Sequence, residues 1–299
     1  MTYQGVIEVS ELAALLDQQD QGSQLVILDC RYNLADTQAG EQAYLKEHIP
    51  GARYASLHRD LSASHEPSGD HNGSRYGGRH PLPSAKQFSE FARAAGISAE
   101  TQVVVYDDQR FAFAARAWWL LRHYGHTQVT ILNGGFSAWK NAGLPVSEGE
   151  EDPAAAGDFS GSAEAGELLH YEDLYPHLEN PPWQLVDARE TRRFLGNEEP
   201  IDPIAGHIPG AINKPWQATT DENGFIQPLA VLRENWQSIP ADDDIVCYCG
   251  SGVTACVNLF SLLQVGRSAR LYPGSWSDWC AHILYPRTSS PENHNKENA

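Results

Sequence analysis

The sequence predicts an α/β fold that is built twice, as two tandem domains that each hold a largely parallel sheet flanked by helices. Three observations predict this fold. The chain has 299 residues, and at roughly 150 residues per domain this length suits two domains. Short β-branched runs alternate with helical patterns, which is typical of parallel α/β units. Four sequence matches also recur in the same order in both halves, which indicates a duplicated domain.

The repeated segments show where the two copies differ in length. An apolar run that ends in Asp-x-Arg occurs at residues 25–31 and 184–189, and HIPGA occurs at 48–52 and 207–211, with offsets of 158 and 159. VVVYD at 103–107 matches IVCYC at 245–249, and GGFSAW at 134–139 matches PGSWSDW at 273–279, with offsets of 142 and 140. The first copy therefore carries about 17 extra residues, which we place in the Ser-, Gly- and His-rich segment 62–78 and expect to form a surface loop.

The same comparison predicts the domain boundaries. We expect residues 1–146 to form the first domain and residues 167–287 to form the second. Residues 147–166 are acidic and rich in small side chains, which indicates a linker. Residues 288–299 have little apolar surface to bury, and we expect a disordered tail there.

The charge of the chain disfavours several classes of partner. Lys and Arg total 21 against 39 Asp and Glu, so the formal net charge is -18. A field of this sign repels phosphate backbones, so we expect neither nucleic-acid binding nor docking on anionic membranes.

The sequence has no run of about 18 apolar residues. Its first residues do not resemble a secretory signal, so a cytoplasmic location is expected.

The five cysteines indicate reduced thiols. Their number is odd in a long chain, which does not fit a disulfide framework. Cys247 and Cys249 form a C-x-C without a second matching pair, so the spacing does not predict a zinc site. We therefore expect no metal and no cofactor.

The segment around Cys249 carries the strongest functional signal. An apolar strand predicted at 245–248 runs into Cys249, and a tight loop follows before a helix at about Ala255. At the carboxyl end of a parallel strand, loop amides and the next helix terminus point their N–H groups outward and favour a thiolate over a thiol. Gly250 and Gly252 permit such an amide-lined loop. The pattern predicts a sulfur nucleophile that carries an anionic group, although a buried cysteine can also be a plain core residue.

Several of these motifs together resemble one family. CGSGVTA, the paired Asp-x-Arg and HIPGA repeats and the GG-x-x-W element are similar to those of the tandem-domain sulfurtransferases of the rhodanese superfamily, nearest to its 3-mercaptopyruvate and thiosulfate sulfurtransferases. The resemblance covers roughly residues 8–285. It implies two rhodanese-like domains of which only the second holds the catalytic cysteine. Asp107 stands at the matching position of the first copy, in agreement with this pattern.

The resemblance also implies a reaction. Cys249 would take a sulfane sulfur, become a persulfide and pass the sulfur to cyanide or to a thiol, such as a low-molecular-weight thiol or a thioredoxin-like protein. Gly250, Gly252, Val253 and Thr254 would form the binding loop. Thiosulfate-preferring relatives carry basic residues directly after the cysteine, whereas this chain has neutral Gly250 and Ser251. We therefore expect 3-mercaptopyruvate as the donor, with thiosulfate as the alternative.

The resemblance assigns further site residues in both copies. Arg193 matches the arginine that binds the donor's carboxylate, while the position of a second such arginine holds Asp202. His80 matches a histidine that faces the active loop from the first domain, and with Ser251 it would relay a proton. An aspartate found in this relay is replaced by His58. Arg189 is expected to pair with an acidic neighbour, and Arg192 to be solvated.

Two other classes of protein, cysteine phosphatases and non-enzymatic persulfide carriers, also place a cysteine in a loop of this kind. Cysteine phosphatases of a related fold need an arginine six positions after the nucleophile, and the residue at that position here is Ala255. This disfavours a phosphatase. A non-enzymatic persulfide carrier or scaffold would keep the same cysteine loop, so only a measurement of turnover separates it from an enzyme.

Overall fold

The first half of the protein is built on a five-stranded parallel sheet. The computed structural model describes residues 5–18, 24–63 and 76–285. Within them the sheet has the order β1-β5-β4-β2-β3, and each pairing between these strands is parallel. Its strands are β1 (Val6–Ile7), β2 (Leu25–Asp29), β3 (Ala52–Tyr54), β4 (Gln102–Tyr106) and β5 (Val129–Leu132).

The second half repeats this plan with four parallel strands in the order β7-β6-β8-β9. They are β6 (Gln184–Asp187), β7 (Ile212–Asn213), β8 (Ile245–Tyr248) and β9 (Arg270–Leu271). The repeated sequences form equivalent strands, because Asp29 pairs with Tyr106 in the first sheet and Asp187 pairs with Tyr248 in the second. The predicted fold class, two parallel sheets flanked by helices, is therefore confirmed.

The helix that begins after Ser84 shows how a local signal sets the start of a helix, because the Ser84 hydroxyl accepts from the Gln87 N–H and caps the helix. The helices of the first half are α1 (Val9–Asp17), α2 (Ala39–Lys46), α3 (Ala85–Ala94), α4 (Ala114–His123) and α5 (Gly135–Asn141). Those of the second half are α6 (Tyr171–Leu174), α7 (Thr191–Phe194), α8 (Leu229–Trp236), α9 (Ala255–Gln264) and α10 (Ser275–Leu284).

One apolar core runs across the boundary between the two halves. Helix α4 of the first half packs on α9 of the second. Trp118 and Phe111 each meet the ring of Phe260 edge-on, with centroids 5.0 and 5.7 Å apart. This shared core fixes the first half against the helix that follows the Cys249 loop. Five tryptophans that contribute to the cores of the two halves are buried: Trp118, Trp119, Trp139, Trp276 and Trp279.

The segment predicted as a linker, 147–166, contains no helix or named strand but is held against the first half. Ser147 and His48 exchange backbone hydrogen bonds, and the His48 ring contacts Glu151. Arg93 donates to the carbonyl of Phe159, which is buried. The expected tail and most of the expected surface loop lie outside the described residues. No helix in the described part of the chain is long and apolar enough to cross a membrane.

Candidate active site

Cys249 lies at the carboxyl end of β8 and is 2% exposed. Its N–H donates to the Ser275 hydroxyl at 3.1 Å, and its carbonyl accepts from the Trp276 N–H at 3.0 Å. The carbonyl of Gly250 accepts from the Ser277 N–H at 2.9 Å. The start of the cysteine loop is therefore fixed to the start of α10.

Gly252 is required by the shape of this loop. Its φ is +75°, in the left-handed region, and a Cβ there would lie 2.3 Å from the Pro273 carbonyl oxygen. A side chain would strain the backbone and clash with it. Gly252 thus faces Pro273 and supports the loop from behind.

The loop presents a set of backbone donors. The N–H groups of residues 251–255 donate to no protein acceptor within the described parts of the chain. They precede and begin α9, a helix of ten residues whose N-terminus carries partial positive charge. Such a group of amides binds anions.

The corresponding loop of the first half shows this property directly. The Asp107 carboxylate follows β4 as Cys249 follows β8. It accepts four backbone N–H bonds of 2.8–3.1 Å, from Gln109, Phe111, Phe113 and Ala114. Burial raises the pKa of this carboxyl, and the four amides act in the opposite direction. The strand–loop–helix unit of this fold therefore holds an anion when one is placed at the strand end.

His80 reaches the loop from the first half, as the sequence predicts. Its Nδ1 lies 2.8 Å from the Ser251 hydroxyl oxygen. His58, by contrast, is exposed.

Arg116, which sequence analysis did not single out, supports both His80 and the loop. It is fully buried in α4 and donates to the carbonyls of Gly252 at 3.0 Å and His80 at 3.1 Å. Burial lowers the pKa of its guanidinium, while the adjacent Cys256 and Cys249 thiols oppose this effect. The available signal was one arginine inside an otherwise apolar stretch of helix, AARAWWLL.

Arg193 lies beside the loop in a network of ion pairs. Its Nε and Nη2 donate to Glu199 at 3.2 and 2.7 Å, and Nη2 also contacts Asp202 at 3.2 Å. Arg189 pairs with Asp187 at 2.7 Å, as expected, and with Glu199 at 3.1 Å. Arg192 has a side chain that is 81% exposed, also as expected.

Arg79 is a second residue that sequence analysis missed. It precedes His80, and its Nη1 forms an ion pair with Asp202 of the second half. The motif GGRHPLP contained the signal, but the partner is 123 positions away in the sequence.

A cavity of about 660 Å³ between the two halves brings most of the predicted residues together. Cys249, Gly250, Ser251, Val253 and Thr254 line it together with Arg193 and Arg79. His80 contacts this set through Ser251, and Gly252 lies behind it.

Comparison with known proteins agrees with this architecture. The Rhodanese-like domain family matches residues 8–142 and 170–282. A probable 3-mercaptopyruvate sulfurtransferase of Pseudomonas aeruginosa is 43% identical over 92% of this chain and 94% of its own length. A putative thiosulfate sulfurtransferase of Mycobacterium tuberculosis is 39% identical over 95% of this chain and 96% of its own length. The structure of 3-mercaptopyruvate sulfurtransferase from Leishmania major superposes with a TM-score of 0.78 at 30% identity, and covers 94% of this chain and 75% of that one.

The protein therefore consists of two parallel α/β units in tandem. A cysteine follows the central strand only in the second unit, so the protein has one thiol site of this kind. The chain belongs to the rhodanese-like domain family, with two copies of the domain.

Proposed function

We propose that this protein is a sulfurtransferase that moves sulfur from 3-mercaptopyruvate to a thiol or cyanide through a persulfide on Cys249. The observation that carries the proposal is the loop after Cys249, whose backbone N–H groups have no acceptor in the described ranges of the chain. The Asp107 loop supports it, since the same backbone unit holds a carboxylate there. A persulfide is an anion at the end of the cysteine side chain, and such a loop stabilises it.

The first half-reaction breaks the carbon–sulfur bond of the donor. The Cys249 thiolate attacks the donor sulfur, a sulfur–sulfur bond forms, and the bonding electron pair leaves with carbon as the enolate of pyruvate. The donor's thiol proton is lost, and a proton must reach the carbon. Ser251 lines the cavity and is hydrogen-bonded to His80, so this pair suits the proton transfer.

The second half-reaction regenerates the enzyme. An acceptor thiolate attacks the outer sulfur of the persulfide, which gives an acceptor persulfide and the Cys249 thiolate. Cyanide would give thiocyanate in the same way. We propose a low-molecular-weight thiol or a thioredoxin-like protein as the acceptor. All five cysteines are unpaired in the structure, which fits a reducing compartment, and we propose the cytoplasm.

Thiosulfate remains the second candidate donor. The guanidinium groups of Arg79 and Arg193 both lie close to Gly250, and two cations suit a dianion. The relatives include proteins named for each donor. The neutral Gly250 and Ser251 favour mercaptopyruvate as the main substrate.

The proposal is tested by weighing the protein after incubation with each donor and by measuring steady-state turnover. We expect a mass increase of one sulfur atom on the Cys249 peptide and a higher kcat/KM for 3-mercaptopyruvate than for thiosulfate. A higher value for thiosulfate would make the protein a thiosulfate sulfurtransferase. Persulfide formation without turnover with any acceptor would indicate a carrier.

A further inference from the structure

Arg116 is a fully buried arginine whose hydrogen bonds join the two halves behind the cysteine loop. Its Nη1 donates to the Gly252 carbonyl at 3.0 Å, and its Nη2 donates to the His80 carbonyl at 3.1 Å. Its Nε and Nη2 also donate to the Leu61 carbonyl at 3.3 and 3.2 Å. Burial of a guanidinium is costly unless its N–H groups are hydrogen-bonded, so this residue holds its acceptors at fixed positions.

The bond to Gly252 sets the direction of one amide of the cysteine loop. The Gly252 carbonyl belongs to the same peptide group as the Val253 N–H, and the C=O and N–H of a trans peptide group point in opposite directions. The Val253 N–H is therefore directed away from Arg116. It donates to no acceptor in the described ranges of the chain, and Val253 lines the cavity together with Cys249.

The bond to His80 closes a ring of contacts around the same loop. His80 Nδ1 lies 2.8 Å from the Ser251 hydroxyl oxygen, and Ser251 directly precedes Gly252. One guanidinium thus holds the backbone of His80 with Nη2 and the backbone next to Ser251 with Nη1. The distance between these two backbones decides whether the ring and the hydroxyl meet, so Arg116 fixes the geometry of the pair.

We infer that Arg116 is a positioning residue for the proposed sulfur transfer. It directs the Val253 N–H of the anion-binding loop, and it holds His80 against Ser251. Arg116 is not among the residues that line the cavity, so it acts through these neighbours and not on the donor. The inference rests on the proposed function and assigns to the first half the part that sets the geometry of the reaction.

The test replaces Arg116 by lysine in the full-length protein. Lysine keeps the positive charge, but its single nitrogen cannot occupy the positions of both Nη1 and Nη2. We expect kcat to fall about 10²-fold with 3-mercaptopyruvate and about tenfold with thiosulfate, because misplaced groups slow both reactions. The loss is larger for 3-mercaptopyruvate because only this donor also needs the proton that His80 and Ser251 transfer. KM should change little for either donor, since Arg116 does not line the cavity.

Two comparisons separate position from stability. Partial unfolding lowers the rates with both donors by the same factor, so the ratio of the two kcat values reports the geometry and not the folded fraction. In the His80→Ala background, Arg116→Lys should lower both kcat values by the same factor of about ten, because the pair that Arg116 holds is already absent. Arg122→Lys in the same helix is the matched control and should behave as wild type, since its guanidinium lies 5.3 Å from the centre of the Trp118 ring.

A second variant serves if Arg116→Lys does not fold. Arg116→Gln removes the buried charge together with the guanidinium, and we expect the same shift in the ratio of the two kcat values. Wild-type kcat values in folded Arg116→Lys protein, or a loss that is equal for both donors, would overturn the inference. If the wild-type protein transfers no sulfur from 3-mercaptopyruvate, the proposed function fails instead.

Discussion

Asp107 occupies in the first half the position that Cys249 occupies in the second. Each follows a tyrosine that ends a central strand, Tyr106 in β4 and Tyr248 in β8. The Asp107 carboxylate accepts the backbone donors of its own loop, whereas the N–H groups of the loop after Cys249 have no acceptor among the residues that the structure describes. In the first half, the Asp107 carboxylate thus occupies the anion site formed by the loop amides. In the second half, the corresponding amides lie beside the Cys249 thiol and are available to an anion.

Replacing Cys249 tests the position of the nucleophile. We expect Cys249→Ser to abolish sulfur transfer, because a serine hydroxyl is a far poorer acceptor of sulfane sulfur than a thiolate. The circular dichroism spectrum should not change. Cys247→Ala is the control, since this thiol is buried within β8 and does not line the cavity. Burial also raises the pKa of Cys247 far above its usual value, which keeps the thiol protonated. Equal loss of activity in both variants would point to dithiol chemistry.

Replacing His80 tests the proton transfer. Mercaptopyruvate leaves as an enolate that must be protonated, whereas thiosulfate leaves as sulfite, which needs no proton at neutral pH. We expect His80→Ala to lower kcat for mercaptopyruvate by about 10²-fold or more and to change the thiosulfate rate little. Ser251→Ala should cause a similar loss, and the double variant should add little to either, because the two side chains act as one unit.

The control for this measurement is His58→Ala, whose ring is exposed. It should behave as wild type. Equal losses for both donors in His80→Ala would assign His80 a structural role in the cavity wall.

Asp107→Asn tests how much the hydrogen bonds between the Asp107 carboxylate and its four loop amides stabilise the fold. The amide keeps the shape of the carboxylate but turns one acceptor into a donor that faces two backbone N–H groups. We expect the free energy of unfolding in urea to fall by at least about 2 kcal/mol. Asp152→Asn is the control, because this carboxylate is exposed. Equal destabilisation of the two variants would contradict the role assigned to the loop amides.

The stability of the arginine network should depend on pH through Glu199. Burial alone would raise the pKa of this carboxyl, but Arg193 and the backbone N–H groups of Asp202 and Ile201 together outweigh burial, and the pKa lies below its usual value of 4.5. A carboxyl with a lowered pKa stabilises the folded state above its unfolded pKa and loses this contribution as the pH falls through the folded value. We expect unfolding free energy to decline as the pH falls below about 4.5, and the Glu199→Gln variant to show a shallower decline. Identical slopes for the two proteins would refute the assignment.

The sequence predicted the parts of the site that depend on local pattern. The strand–loop–helix unit around Cys249 follows from an apolar run, two glycines and a helical segment that are adjacent in the chain. The position of His80 was predicted through resemblance to a family, and the structure places it against Ser251.

The remaining parts depend on how the two halves dock, which local pattern does not encode. Arg79 meets Asp202 across 123 positions, and Arg116 meets Gly252 across 136. A buried arginine in an apolar helix indicates only that partners must exist. The resemblance to the family expects an arginine at position 202, where this chain has Asp202. That Asp202 forms an ion pair with Arg79 follows only from the way the two halves dock.

The contacts of Arg116 couple the structures of the two copies, because a change in this residue would affect a loop in each of them. One guanidinium, with no solvent access, holds the backbone of the nucleophile's loop and of the histidine beside it. The first copy has no thiol at the end of its central strand β4, yet through these contacts it forms a wall of the proposed reaction centre in the second copy. Separated from that wall, the second copy would retain a cysteine and lose the surroundings that make it an enzyme.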